Sequence, residues 1–304
     1  MTGPAVVLAV GVLLAALGGE LFLRGLLNLA ACWRVPPGLV GVTVGAFGTS
    51  APELSVGVNS ALAGRPEIVL GDVLGSNVVN IGLVLGVALL FGPVVVDRGT
   101  VSRDYPAAVA APLVVGLLAL RGALGPIAGL VLLVIFAAWL AQSMLAAHRI
   151  RAAYPAVRTE TATTSAAIRF GAGLVLLIAA GRAIVWGASG ISAALGWDGF
   201  VVGAVLVALG TSAPELATVF ISRLRGHDEV AVGTLLGSNI FNTLLILGIA
   251  ALIRPIAADQ VETDIGIMAG VLLVLLIIPI RYRLSRWRGI PLLMSYGFFV
   301  YLLA

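Results

Sequence analysis

Two glutamates stand in surroundings hostile to charge. Glu53 and Glu215 each lie inside an apolar stretch, in the same seven residues, GTSAPEL at 48–54 and at 210–216. A carboxylate facing hydrocarbon costs several kcal/mol, so it survives only against a bundle interior or wet cavity, with partners. The neighbours supply partners. Pro52 has no N–H to donate, and its ring clashes with the carbonyl of Gly48 four residues earlier. The helix is therefore expected to kink or break there, releasing carbonyl oxygens around Ala46 and Phe47. Irregular backbone at that depth must line protein or water. Thr49 and Glu53 are four apart and share a helix face, and Ser50 lies three before Glu53. Ala208, Thr211, Ser212 and Glu215 repeat the arrangement. Carboxylate, hydroxyl and carbonyl oxygens are hard ligands, preferred by Ca²⁺ and acceptable to Na⁺.

A second motif adds to the first. GSNVVN at 75–80 places Ser76 and Asn80 four apart, and GSNIFN at 237–242 does the same with Ser238 and Asn242. Gly75 and Gly237 let neighbouring backbones approach. Two such hairpins meeting would surround one cavity with two carboxylates, two amides and several hydroxyls. Each element alone has a plainer explanation: GSN is common helix packing, proline a simple kink, and a buried glutamate the partner of an arginine. Arg182 is the only arginine well inside a span, and it cannot neutralise two glutamates. Duplication of both motifs favours the cation site.

The duplication extends beyond the motifs. An offset of 162 residues carries GVTVGAFGTSAPEL (41–54) onto GAVLVALGTSAPEL (203–216), and GDVLGSNVVNIGLVLG (71–86) onto GTLLGSNIFNTLLILG (233–248), without a gap. Identical loop spacing argues for an internal repeat. Asp72 falls within this segment, but its counterpart is Thr234. It reads either as a cation attractor near the site or as a solvated residue at a helix start, outside the symmetric set.

The elements that must carry these residues are membrane helices. The chain of 304 residues is 60% hydrophobic and only 11% charged, whereas soluble domains carry roughly 25% charge. Ten apolar stretches are long enough to approach the thickness of hydrocarbon: 4–30, 36–63, 68–91, 104–121, 123–146, 167–195, 198–223, 229–253, 264–281 and 289–303. The expected fold is all-α: ten transmembrane helices in two inverted five-helix repeats, 1–146 and 167–304, joined by a cytoplasmic linker at 147–166, with the motif helices broken at the midplane. An odd number of spans per half forces the second half to enter the membrane in the opposite sense, which places a substrate site at the repeat interface.

Charge orients the bundle. The loops on one side hold Arg34, Arg98, Arg103, Arg149, Arg151, Arg158, Arg169, Arg223, Arg225, Arg281, Arg283, Arg286 and Arg288; the other side holds Arg65, Arg121 and Arg254. The arginine-rich side is expected to be cytoplasmic, with both termini outside. The basic balance therefore reports topology in a plasma or inner membrane, and a nucleic-acid partner is not expected. The single Cys32 excludes an internal disulfide and a thiolate metal cluster. The apolar run at the N-terminus is too long, and lacks the basic start, of a cleaved signal. Glu20 and Arg24, four apart, are expected to pair; Asp259, Glu262 and Asp264 read as a solvated loop, and His148 and His227 as loop residues.

On GTSAPE and GSNxxN, each present twice across a ten-span chain, the sequence resembles the sodium/calcium exchanger family, prokaryotic type, of the calcium:cation antiporter superfamily. The resemblance implies a Ca²⁺/Na⁺ antiporter working by alternating access, without enzymatic activity or a cofactor, its partners being the transported ions and the bilayer, and its state monomeric. By motif position it implies cation ligands at Thr49, Ser50, Glu53, Ser76 and Asn80, at Thr211, Ser212, Glu215, Ser238 and Asn242, and at the carbonyls of Ala46 and Ala208. It also implies that the first and sixth helices, apolar and glycine-containing, slide across the rest. One departure is visible. Some members carry aspartate at one of the positions held here by Asn80 and Asn242. Two carboxylates give a charge of −2, balanced by one Ca²⁺ or two Na⁺; a third Na⁺ would leave a costly buried positive charge. Counter-ion and stoichiometry stay open, with Ca²⁺/H⁺ antiport as the alternative and a passive cation channel behind it. A hydrolase using Ser50 or Ser212 lacks an accompanying base.

Overall fold

The protein is described by a computed structural model covering residues 2–62, 64, 66–151, 160–195, 208–258 and 261–303. Nearly all of it is helical, the form in which an apolar chain satisfies its own backbone. In chain order the helices are α1 (Thr2–Trp33), α2 (Pro37–Thr49) and α3 (Ala51–Leu62). They continue with α4 (Pro66–Val78, running on through Val79–Leu85 and Gly86–Leu90), α5 (Thr100–Ala119) and α6 (Pro126–Arg151). Then follow α7 (Glu160–Leu195), α8 (Ala208–Thr211), α9 (Ala213–Leu224), α10 (Asp228–Ile253), α11 (Val261–Leu276) and α12 (Gly289–Leu303).

Among the described residues, four helices are by themselves long and apolar enough to cross a bilayer: Val69–Leu90, Thr100–Ala119, Pro126–Arg149 and Asp228–Ile253. The end of α1 and α2 make a fifth candidate, bent by 116°. Other expected spans take different forms. The stretch 36–63 is two helices, and the helix expected over 264–281 stops at Leu276, where the chain turns toward a short strand. Residues 198–207 of the stretch 198–223 lie outside the described set, as do Arg65, Arg158, Asp259 and residues 152–159 of the linker. Helix α6 runs on to Arg151 and α7 starts at Glu160, so both ends of the expected linker are helical.

Burial sorts the spans. The windows in α4 and α10 are 83% and 78% buried, against 33% and 22% for those in α5 and α6. The GSN-bearing helices are therefore central and the others peripheral. The periphery shows apolar side chains such as Leu117, Ile127, Val134, Ile168, Val175 and Met294 on the outer surface, as lipid contact requires. Helices α1 and α7 lie side by side at unusually short range. A Cβ at Gly25 would sit 2.3 Å from the Phe170 nitrogen, and one at Gly173 2.3 Å from that of Phe22. Phe22 and Phe170 stack at 4.7 Å. Phe22, Leu177, Ala180 and Ala217 form a small apolar cluster distinct from the main core around α4 and α10.

The predicted offset appears in the elements. Ala46–Thr49 and Ala208–Thr211, Ala51–Leu62 and Ala213–Leu224, Pro66–Val78 and Asp228–Ile240 all begin and end 162 residues apart. Short strands follow the same rule: β1 (Val94–Val95) and β3 (Ile256–Ala257) are 162 apart. β1 pairs antiparallel with β4 (Arg283–Leu284), and β2 (Ala123–Leu124) with β3. Each ribbon thus joins the early half of the chain to the late half.

Candidate cation site

The break in the GTSAPEL segments lies two residues before the proline. Ser50 has φ −83° and ψ 11°, and Ser212 φ −82° and ψ 7°, outside the helical region. A new helix starts at the next residue, with Pro52 or Pro214 at its second position, where a missing N–H costs nothing. The carbonyls of Ala46 and Ala208 are not released outright: they accept the backbone N–H of Ser50 at 2.9 Å and of Ser212 at 3.0 Å. Thr49 and Thr211 hydroxyls lean on the same oxygens at 3.4 and 3.2 Å. The carbonyl that the proline leaves without its usual donor is that of Gly48, or Gly210 in the second copy. Glu53 and Glu215 fall in the first turns of α3 and α9, where the helix dipole favours an anion.

Both glutamates are fully buried, at 0% exposure. Each is held by a serine from the other copy. Ser50 donates to Glu215 Oε1 at 3.2 Å, and Ser212 to Glu53 Oε1 at 3.5 Å. Ser238 donates to Glu215 Oε1 at 2.9 Å. The hydroxyls of Thr49 and Ser238 meet at 3.3 Å, and those of Ser76 and Thr211 at 3.4 Å. Among the described residues no arginine pairs with either glutamate; the side chain of Arg182 lies outside the described set.

The asparagines form a chain of amides between the two copies. Asn239 Nδ2 donates to the backbone carbonyl of Asn77 at 3.2 Å. Its Oδ1 therefore faces Asn80 and accepts that residue's Nδ2 at 3.0 Å. On the other side, Asn77 Nδ2 donates to Thr243 Oγ1 at 2.6 Å, and its Oδ1 accepts Asn242 Nδ2 at 3.4 Å. Both motif asparagines thus spend their N–H groups on protein. The buried side-chain atoms left without a partner include Glu53 Oε2, Glu215 Oε2, Asn80 Oδ1 and Asn242 Oδ1. All four are acceptors. A buried acceptor without a donor is normally avoided, and four together form a lining suited to a cation. Among the described residues no three carboxylate, imidazole or thiol side chains cluster closely enough to hold a metal unaided, so hydroxyl and amide oxygens are needed.

Eight of the ten motif side chains, the glutamates, serines and threonines, thus bond across the two copies, and Asn80 and Asn242 bond across them through Asn239 and Asn77. Three further residues emerge. Asn77 and Asn239, the N of each GSN, each bond the motif asparagine of the other copy, Asn242 and Asn80; their duplication was the available signal. Asp72 is buried, at 3% exposure, and accepts the Thr211 hydroxyl at 3.3 Å, so the solvated alternative for it is overturned. Glu20 and Arg24 pair at 2.6 Å as expected, and Arg225 joins them at 2.6 Å.

Comparison with known proteins places this geometry. CaxA of Alkalimonas amylolytica is 33% identical over 97% of this chain and 96% of its own. The sodium/calcium exchanger MaX1 of Methanosarcina acetivorans is 26% identical over 98% and 97%. The solved sodium-calcium exchanger NCX_Mj, soaked with Na⁺ and Ca²⁺, superposes with a TM-score of 0.86 at 25% identity, covering 99% of this chain and 98% of that one. The family described as sodium/calcium exchanger protein matches residues 3–145 and 165–304. With nearly its whole length matched, the chain belongs to the sodium/calcium exchanger family of multi-pass membrane proteins.

Proposed function

We propose that the chain is a secondary antiporter that moves Ca²⁺ against Na⁺ by alternating access, binding both in the cavity between Glu53 and Glu215. The observation that carries this is reciprocity: each buried carboxylate takes a serine from the other copy and keeps one oxygen free. The ligands are Thr49, Ser50, Glu53, Ser76 and Asn80, with Thr211, Ser212, Glu215, Ser238 and Asn242; the carbonyls of Ala46 and Ala208 contribute their second lone pairs. The relatives named for sodium/calcium exchange support the ion pair.

Ten crossings in two inverted five-helix halves, 1–146 and 167–304, fit this reading. The two ribbons support it. β1 and β4 join loops from the arginine-rich set, and β2 and β3 join loops from the arginine-poor set. Arg223 likewise donates to the carbonyls of Gly92 and Pro93, within the rich set. That set is cytoplasmic in this scheme, and both termini face outward. The breaks at Ser50 and Ser212 then fall near the midplane.

Coupling follows from charge. An empty cavity leaves two carboxylates in a medium of low dielectric, which is costly. Either ion load removes that cost and permits the switch between inward and outward states. Helices α1 and α7, packed on each other through a small cluster that also takes in Ala217 of α9, are the elements that slide. The test is ⁴⁵Ca²⁺ uptake into proteoliposomes under imposed Na⁺, K⁺ and H⁺ gradients. Uptake should follow Na⁺ and vanish in the Glu53→Gln, Glu215→Gln double variant. Uptake driven by a pH gradient and indifferent to Na⁺ gives the Ca²⁺/H⁺ alternative; undiminished uptake in the double variant removes the site.

A further inference from the structure

The cycle above uses two carboxylates, yet a third lies beside them. Asp72 sits on α4 one turn before Ser76, at 3% exposure. Its Oδ1 accepts from Thr211, whose hydroxyl also meets that of Ser76. Its Oδ2 has no hydrogen-bond partner, and among the described residues no ion pair reaches it. It lies within electrostatic reach of both glutamates. A buried anion of this kind is not sustained by one hydroxyl. Asp72 does not join Glu53 and Glu215 around one metal, because no such three-carboxylate group is present among the described residues. The free oxygen is neutralised either by a proton or by a cation of its own, and the two hydroxyls beside it favour the cation. The counterpart position holds Thr234, a neutral residue, so the demand comes from one side only.

We propose that Asp72 binds one alkali-metal cation at a position adjoining the Ca²⁺ cavity and sharing its Thr211 and Ser76 hydroxyls, and that Ca²⁺ travels only when this position is filled. The proposal rests on the antiport reading and deepens it. The arithmetic is short. Glu53, Glu215 and Asp72 carry −3 in total; Ca²⁺ contributes +2 and leaves −1; one monovalent cation brings the occluded cavity to zero. The opposite leg reaches zero with three monovalent cations. An isolated residual charge in the interior is the state the carrier avoids, so the Ca²⁺ leg needs a co-ion.

Isotope self-exchange isolates that leg. Proteoliposomes with equal Ca²⁺ on both sides, ⁴⁵Ca²⁺ on one, are prepared in N-methylglucamine buffer at fixed pH, and Na⁺ or K⁺ is added symmetrically at low concentration. For the wild type, exchange should rise by about tenfold with at least one of the two, within the usual range of coupling between sites. Asp72→Asn, and Asp72→Thr copying the counterpart residue, should exchange ⁴⁵Ca²⁺ without responding to either. Equal wild-type rates with and without alkali cation would overturn the proposal, as would a retained response in both variants. Where a variant does not turn over, ⁴⁵Ca²⁺ binding to the purified protein decides: Na⁺ or K⁺ should raise the affinity of the wild type and not of the variant, and a rise in both overturns the proposal. Absence of wild-type self-exchange under every condition would instead strike the antiport reading itself.

Discussion

An amide side chain can offer a cation either its oxygen or nothing useful, and in this cavity the choice is made by residues that face away from it. Asn239 is tied by a backbone carbonyl, which is an acceptor in every orientation, and this turns the oxygen of Asn80 inward. Asn77 does the same for Asn242 through its own oxygen. Replacing Asn77 with Ala removes the acceptor of Asn242 and lets that amide rotate. Apparent Ca²⁺ affinity should fall about tenfold, and stability by about 1–2 kcal/mol for the buried bonds lost; ⁴⁵Ca²⁺ titration and thermal melting in detergent measure the two. A variant with unchanged affinity would show that the orienting chain is idle. The acids and hydroxyls of the candidate site were legible in the sequence because their types and spacing repeat. The orienting role of Asn77 was not, because its partners, Asn239 and Asn242, are more than 150 residues away and no local pattern reports who holds whom.

Elements bring those side chains to one place by breaking and widening, and only the breaking was readable. Proline after a glycine-containing turn announced an interruption, although its position at Ser50 and Ser212 follows from proline preferring the start of a new helix. The widening was silent. Val79–Leu85 and Phe241–Ile246, which carry Asn80 and Asn242, are π-helical, a form concentrated at functional sites. Their apolar residues would fit an α-helix equally well, so no composition signal exists. Close packing holds the broken helix in place. A Cβ at Gly237 would lie 2.2 Å from the Val42 carbonyl and 2.6 Å from the Ala46 Cβ. Gly237→Ala should therefore push α10 off α2, costing about 1–3 kcal/mol and most of the transport rate. Gly71, with nothing within 4 Å of an added Cβ, serves as the comparison: Gly71→Ala should leave melting temperature and flux unchanged. Equal behaviour of the two variants would dismiss the close crossing as a determinant.

At the scale of the whole molecule, orientation is the property that charge decides. Arginines crowd one set of loops, and the contacts between loops keep the two sets apart. In a Cys32→Ser background, Arg286→Cys should react with a membrane-impermeant maleimide in inside-out vesicles and not in intact cells, whereas Arg121→Cys should react in intact cells. Both positions are exposed. The reverse pattern would invert the topology while leaving the cavity as it is. Membrane character and duplication were plain from composition and the repeat offset. The shape of individual crossings was less so, because the apolar run 264–281 gives no sign that its helix stops at Leu276.

The exchange of serines links the two copies. Ser50 serves Glu215 and Ser212 serves Glu53, so each half lends a hydroxyl to the other's carboxylate. Separating the halves would take from each glutamate the serine that the other copy supplies. Within one chain the two copies need not stay identical, and the lone aspartate at position 72, opposite Thr234, is such an asymmetry.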